Sequence, residues 1–299
     1  MNIERFFQYI QYEKRFSPHT LTAYQSDLGQ FVDFLENTYD ITVPSEVKHL
    51  HVRSWIVDLL GKKNTTRSIN RKLSCLKTYF KFLRKQKEID HNPMAKVISP
   101  KTGKRLPVFV NESNMELLFE SVNFGEGFAG MRNRLLMELL YCTGMRRSEL
   151  IGLKIADVDF STNQLKVLGK GNKERLIPMA RHLVRLIEEY LMEREQLAES
   201  AENKGFLLLT DKGRPLNADF VYRLVKKYLS AVTTLEQRSP HVLRHTFATH
   251  LSNSGADLNA IKELLGHSSL AATQVYMHNS IEKLKKVYAQ AHPKAKTPD

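Results

Sequence analysis

The chain has 299 residues, 42% of them hydrophobic, a formal net charge of +13 and two cysteines. Two ordinary domains are the expected organisation, and the positive balance points to a polyanionic partner, with DNA or RNA as the default. Two cysteines exclude a disulfide framework, and no apolar run approaches the length of a membrane span.

The opening MNIERFFQYIQYEKRF reads as an amphipathic helix with Glu4 inside it, not as a signal peptide, so a reducing, cytoplasmic location is expected. Residues 1–100 read as a helical bundle. Asn2 to Lys14 places Ile3, Phe6, Phe7 and Ile10 on one side. Ser17-Pro18 starts a second helix and Glu46 to Leu60 forms a third, ended by Gly61. Thr65 or Thr66 starts a fourth that runs to about Lys87. Residues 1–105 hold 19 Lys and Arg against 10 Asp and Glu. Between Lys62 and Lys87 there are ten basic residues and no acidic one. A solvated helix face normally mixes signs, whereas a one-sign helix repels itself unless something neutralises it. Lys62, Lys63, Arg67, Arg71, Lys72, Lys77, Lys81 and Arg84 are therefore expected to meet DNA phosphates.

Residues 101–107, Lys-Thr-Gly-Lys-Arg-Leu-Pro, follow Ser99-Pro100 and have the composition of a linker. A second domain then spans 108–299. Asn111 to Val122 and Met131 to Cys142 read as helices, with Thr143-Gly144 as a break and Arg146 at the start of a new helix. A structural cation is disfavoured there, whereas an arginine and a helix dipole aimed at one spot would hold an anion. Cys75 and Cys142 lie in helical apolar contexts and imply no metal site. Ile155 to Val158, Gln164 to Val167 and Arg175 to Ile177 read as short strands. Gly169-Lys170-Gly171-Asn172 is a hairpin tip, where a lysine is ordinarily just solvated. Leu183 to Leu197 and Asn217 to about Val232 are further helices, separated by a buried apolar run, Phe206 to Leu209.

Ser239-Pro240 starts a helix that carries His241 and Arg244 on one polar face and ends at Gly255. A short helix follows from about Asp257 to Leu265 and stops at Gly266, with His267 directly after it. A third helix, capped by Ser268 or Ser269, carries Tyr276. Two histidines, an arginine and a tyrosine on three linked helices suit a phosphate. The arginine fork binds its oxygens, histidine donates to a non-bridging oxygen, and a deprotonated tyrosine is a nucleophile.

These residues resemble a known family. His241-Val-Leu-Arg244-His245 resembles the HxLRH box of the tyrosine recombinases, and Leu265-Gly266-His267 with Tyr276 resembles their LGH-(x8)-Y ending. Thr143 to Leu150 resembles their TGxRxSEL box and Gly169 to Lys173 their GKGNK hairpin. The four boxes stand in family order, and the length is most similar to the Xer chromosome-dimer resolvases. The resemblance implies a mainly α protein: an N-terminal SAM-like core-binding bundle, then an α-rich catalytic domain with a small antiparallel sheet, the DNA breaking-rejoining fold. It implies that Arg146, Lys170, His241, Arg244, His267 and Tyr276 are catalytic, with Lys170 and not Lys173 as the lysine; Arg147, next to Arg146, points elsewhere on the helix and does not carry its role. It further implies double-stranded DNA with a dif-like palindrome as substrate, and a tetramer on two duplexes, homomeric or with a paralogous Xer subunit. An FtsK-type septal DNA translocase as partner follows too, as does a tail helix, Ile281 to Ala291, that docks into a neighbouring protomer.

The implied reaction is metal-free transesterification through a 3′-phosphotyrosine, with no cofactor. A metal mechanism for phosphodiesters wants clustered carboxylates, which the stretch around His241 lacks. His241 and His245 have the spacing of a zinc pair but lack the adjacent glutamate, and Arg244 stands between them. A phage or transposon integrase is the alternative within the family. A type IB topoisomerase-like relaxase and a non-catalytic DNA-binding protein are the alternatives outside it.

Overall fold

A computed structural model describes residues 3–101, 103, 108–169, 172–195, 205–266, 290–291 and 293. Contacts divide the chain into two compact units, residues 1–105 and 106–299, and the division falls inside the stretch read as a linker. No helix among the described residues is long and apolar enough to cross a membrane.

The first unit is helical. α1 (Glu4–Gln8) continues as a π-helical turn over Tyr9–Glu13. α2 (Pro18–Tyr39) starts where the Ser17 hydroxyl accepts the Thr20 N–H, and ends on Asp40 in the left-handed region. α3 (His49–Gly61) begins later than the sequence suggested, because Pro44–Glu46 forms a separate 3-10 turn. α4 (Thr66–Lys85) is capped by the Thr65 hydroxyl on the Ser68 N–H. Phe31 packs on Trp55 at 4.9 Å between ring centroids, and Leu73, Leu76 and Phe80 of α4 close the same core.

The second unit is built round α6 (Gly127–Thr143), which follows α5 (Glu112–Ser121) and is buried at every residue from Leu135 to Thr143. A helix that is apolar on all sides belongs at the centre of a domain. α7 (Arg147–Gly152) leads to a sheet of order β1-β2-β3, antiparallel throughout, with β1 at Val158–Asp159, β2 at Gln164–Leu168 and β3 at Glu174–Pro178. Leu165 pairs with Ile177 and Leu168 with Glu174. The strand expected over Ile155 to Val158 is instead a 3-10 turn, Ile155–Asp157, because the Asp157 carboxylate takes the Lys154 N–H at 2.9 Å and turns the backbone. α8 (Arg181–Glu195) and α10 (Pro240–Asn253) flank α6, with α9 (Ala218–Val232) beside α5 and α11 (Leu258–Leu265) beside α10. Ser239 makes no side-chain cap on α10; Pro240 at the first turn starts it. Asp257 caps α11 through the Ala260 N–H.

Candidate active site

Arg146, His241 and Arg244 lie among the described residues; Lys170, His267 and Tyr276 lie outside them. Two helix ends, at Gly144 and Gly266, bring Arg146 and Arg244 to one turn. α6 ends on Gly144 at φ 59, a conformation glycine adopts without cost. A Cβ there would stand 2.4 Å from the Phe247 ring of α10, so the same glycine also lets α10 approach. α11 ends on Gly266 at φ 63.

Arg244 is buried and donates from one guanidinium nitrogen to the Gly144 carbonyl at 2.7 Å and from the other to the Leu265 carbonyl at 2.6 Å. Arg146 donates to the Gly266 carbonyl at 3.3 Å. Both guanidinium groups therefore converge on adjacent carbonyls at the C-terminus of α11, where the backbone dipole is negative. Burial and then the nearby Arg146 charge lower Arg244 to about 10, which leaves it protonated at neutral pH.

Glu149 organises this cluster. Its carboxylate accepts the Arg146 N–H at 2.7 Å and an Arg146 guanidinium nitrogen at 2.7 Å. It also accepts both ends of the Arg175 fork, at 3.1 and 2.8 Å. Burial alone would push this carboxyl up, but the bonds from Arg175 and Arg146 together outweigh it and hold it at about 2. Glu149 thus buttresses Arg146 from within the first turn of α7. Arg147 turns away and donates to the Ala218 carbonyl at 3.3 Å.

Arg175 was not singled out in the sequence. It bridges Glu149 to α11 by donating through Nε to the Leu264 carbonyl at 2.8 Å. A signal was available, because in β3 it shares the parity of buried Ile177, and an arginine on the inner face of a strand needs a partner. His241 stands exposed on α10. Partial loss of water and then the charge of Arg244 lower it below the ordinary 6.5, so the ring is neutral at pH 7. Lower on α10, Thr246 accepts the Val110 N–H at 3.0 Å and His250 Nε2 donates to the Val110 carbonyl at 2.9 Å, which pins the start of this unit to the helix carrying His241 and Arg244.

In the first unit, Arg67, Arg71, Lys81 and Lys85 share a face of α4 at helical spacing, and Lys77 and Arg84 flank it, all exposed. Lys63, Arg67, Lys77, Lys81 and Arg84 form no ion pair among the described residues, whereas Lys62 pairs with Asp58 at 2.9 Å and Arg71 with Asp27. Lys72 departs from the expected phosphate contact. It points into the bundle, 4% exposed, and donates to Asp27 at 3.1 Å and Gln30 at 2.6 Å. Buried Asp27 needs a cation, and α4 supplies one from its inner face.

Residues 109–283 match the phage integrase family, and residues 3–87 match the phage integrase N-terminal SAM-like domain. The chain belongs to the phage integrase family, the tyrosine recombinases. Tyrosine recombinase XerC of Pelobacter propionicus is 39% identical over 298 residues, 99% of this chain and 97% of its own. Tyrosine recombinase XerC of Staphylococcus epidermidis is 39% identical over 295 residues, 98% of this chain and 97% of its own. The XerH site-specific recombinase bound to palindromic difH in a post-cleavage complex superposes with a TM-score of 0.72 at 25% identity, covering 90% of this chain and 79% of that one. The Tn1549 transposon integrase on transposon-end DNA shares the fold at a TM-score of 0.70 and 22% identity, over 99% of this chain and 97% of its own. This tyrosine recombinase is thus of Xer type and a DNA strand-transferring enzyme of site-specific recombination.

Proposed function

We propose that this recombinase resolves chromosome dimers at cell division, in the cytoplasm, by recombining two copies of a dif-like palindrome. The observation that carries the chemistry is the convergence of Arg146 and Arg244 on the carbonyls of Gly266 and Leu265, directly before His267. A phosphate seated beside that turn would meet both guanidinium groups, and their charge would offset the negative charge that grows in a pentavalent transition state. Tyr276 is the nucleophile. Its oxygen bonds to the scissile phosphorus, its proton leaves, and the bond to the 5′ oxygen breaks. Lys170 protonates that leaving oxygen, and His241, neutral at pH 7, and His267 donate hydrogen bonds or relay the proton. The phosphotyrosine keeps the energy of the broken bond, so a partner strand's 5′-hydroxyl reverses the step without ATP or metal.

The exposed cations of α4 are read as phosphate contacts that position the protein rather than read sequence. Strand exchange between two duplexes takes four protomers, with or without a paralogue, and the chromosomal setting suggests a septal translocase of FtsK type. Near-full-length identity to XerC proteins supports the chromosomal role over a mobile-element role. The test is recombination on a plasmid with two copies of the host's terminus palindrome, with the paralogue added or withheld. Resolution at that palindrome and not at phage or transposon attachment sites supports the reading. Recombination only at attachment sites refutes it.

A further inference from the structure

We infer that Glu138, Cys142 and His182 form a zinc site behind the catalytic arginines. Glu138 and Cys142 lie one turn apart on α6 and are buried, and His182 reaches them from the second residue of α8 with its side chain 33% exposed. Cys142 Sγ stands 3.5 Å from Glu138 Oε2 and 3.9 Å from His182 Nε2, and His182 Nε2 stands 3.5 Å from the same carboxylate oxygen. Zinc bonds of about 2.3 Å to sulfur and about 2.0–2.1 Å to nitrogen and oxygen, spread tetrahedrally, require ligand separations of about 3.3–3.6 Å. The three side chains already stand within a few tenths of an ångström of that triangle.

The donor set fits the ion as well as the spacing does. Thiolate, imidazole and carboxylate together favour zinc over magnesium or calcium, which prefer all-oxygen shells. Two anionic ligands and one neutral one cancel the charge of a divalent ion, so the assembled site is neutral and suits a buried position. Binding releases the thiol proton of Cys142 and changes no oxidation state. The partly exposed His182 side leaves a fourth position for water. Among the described residues this is the only group of three such donors within ligand reach.

The site lies behind the reaction, not in it. Cys142 is two residues before Gly144, whose carbonyl holds Arg244 at 2.7 Å. An ion there would tie the last turn of α6 to α8 and stiffen the wall on which that arginine rests.

The test is a Co²⁺ titration of the full chain under reducing conditions, read by absorption. One equivalent should give tetrahedral visible bands and a thiolate charge-transfer band in the near ultraviolet, both displaced by Zn²⁺. Cys142→Ser should abolish the charge-transfer band. His182→Gln, at a partly exposed position that leaves the core intact, should weaken binding at least tenfold. His245→Gln should leave the spectrum unchanged. No charge-transfer band in the parent chain overturns the proposal and leaves a hydrogen-bonded cluster. Bands that survive in His182→Gln and vanish in His245→Gln also overturn it, by placing the ion on the His241–His245 face.

Discussion

Replacing Glu149 by glutamine removes one charge, keeps the shape, and leaves Arg146 and Arg175 facing each other without their shared anion. The carboxyl is 3% exposed, so solvent screens little of the effect. Held at about 2 against an ordinary 4.5, it contributes about 3 kcal/mol to stability at neutral pH. A carboxyl depressed in the folded state keeps that contribution above its unfolded value and loses it as pH falls towards the folded one. About 3 kcal/mol at pH 7 should therefore shrink to roughly 1.4 kcal/mol at pH 3. The assay is urea unfolding at both pH values, followed by far-ultraviolet circular dichroism and by fluorescence. Trp55, the only tryptophan, sits in the core of the first unit and follows that unit alone. Glu149→Gln should move the transition of residues 106–299 and leave the Trp55 transition in place. A loss at pH 7 below about 1 kcal/mol, or one that does not change with pH, would refute the coupling of Glu149 to the two arginines.

Other substitutions separate structural from DNA-facing roles. Lys72→Met should destabilise the first unit by about 3 kcal/mol in Trp55-monitored urea unfolding, because Asp27 stays buried with less compensation. Lys81→Ala should leave stability within about 0.5 kcal/mol and lower the slope of log binding constant against log salt by about 1. Gly144→Ala forces a Cβ into a positive-φ position 2.4 Å from Phe247 and should cost about 3 kcal/mol by denaturant unfolding. The His241 ring, followed by NMR, should titrate below 6.5 and move upward in Arg244→Gln, where a charge that disfavours its proton is removed.

The features legible in the sequence are those set within one turn. Ser17, Thr65 and Asp257 cap the helices that follow them, and Gly144 and Gly266 end α6 and α11, because a cap needs only its own neighbours. Arg146, His241 and Arg244 were singled out through short boxes that resemble a family's, and the fold sets both arginines on the carbonyls of Gly266 and Leu265. The contacts that hold those boxes together were not legible in the sequence. Arg175 reaches Glu149 across 26 residues, and only the folded hairpin brings it there. Lys72 looked like one more surface cation on a one-sign helix. Helical spacing sets it on the arc of Ile69, Leu73 and Leu76, but the charge run counted it with the exposed cations, and its partner Asp27 is 45 residues away. Ile155 has the β-branched side chain of a strand residue, yet the Asp157 carboxylate on the Lys154 N–H turns the chain first.

The most direct test of the account is covalent capture on a nicked suicide duplex carrying the terminus palindrome, in EDTA, resolved on a denaturing gel. The account predicts a protein–DNA adduct that persists in EDTA, disappears in Tyr276→Phe, and falls steeply in Arg146→Ala and Arg244→Ala while native-gel binding remains. An adduct that survives in Tyr276→Phe, or one that EDTA abolishes and Mg²⁺ restores, would contradict it.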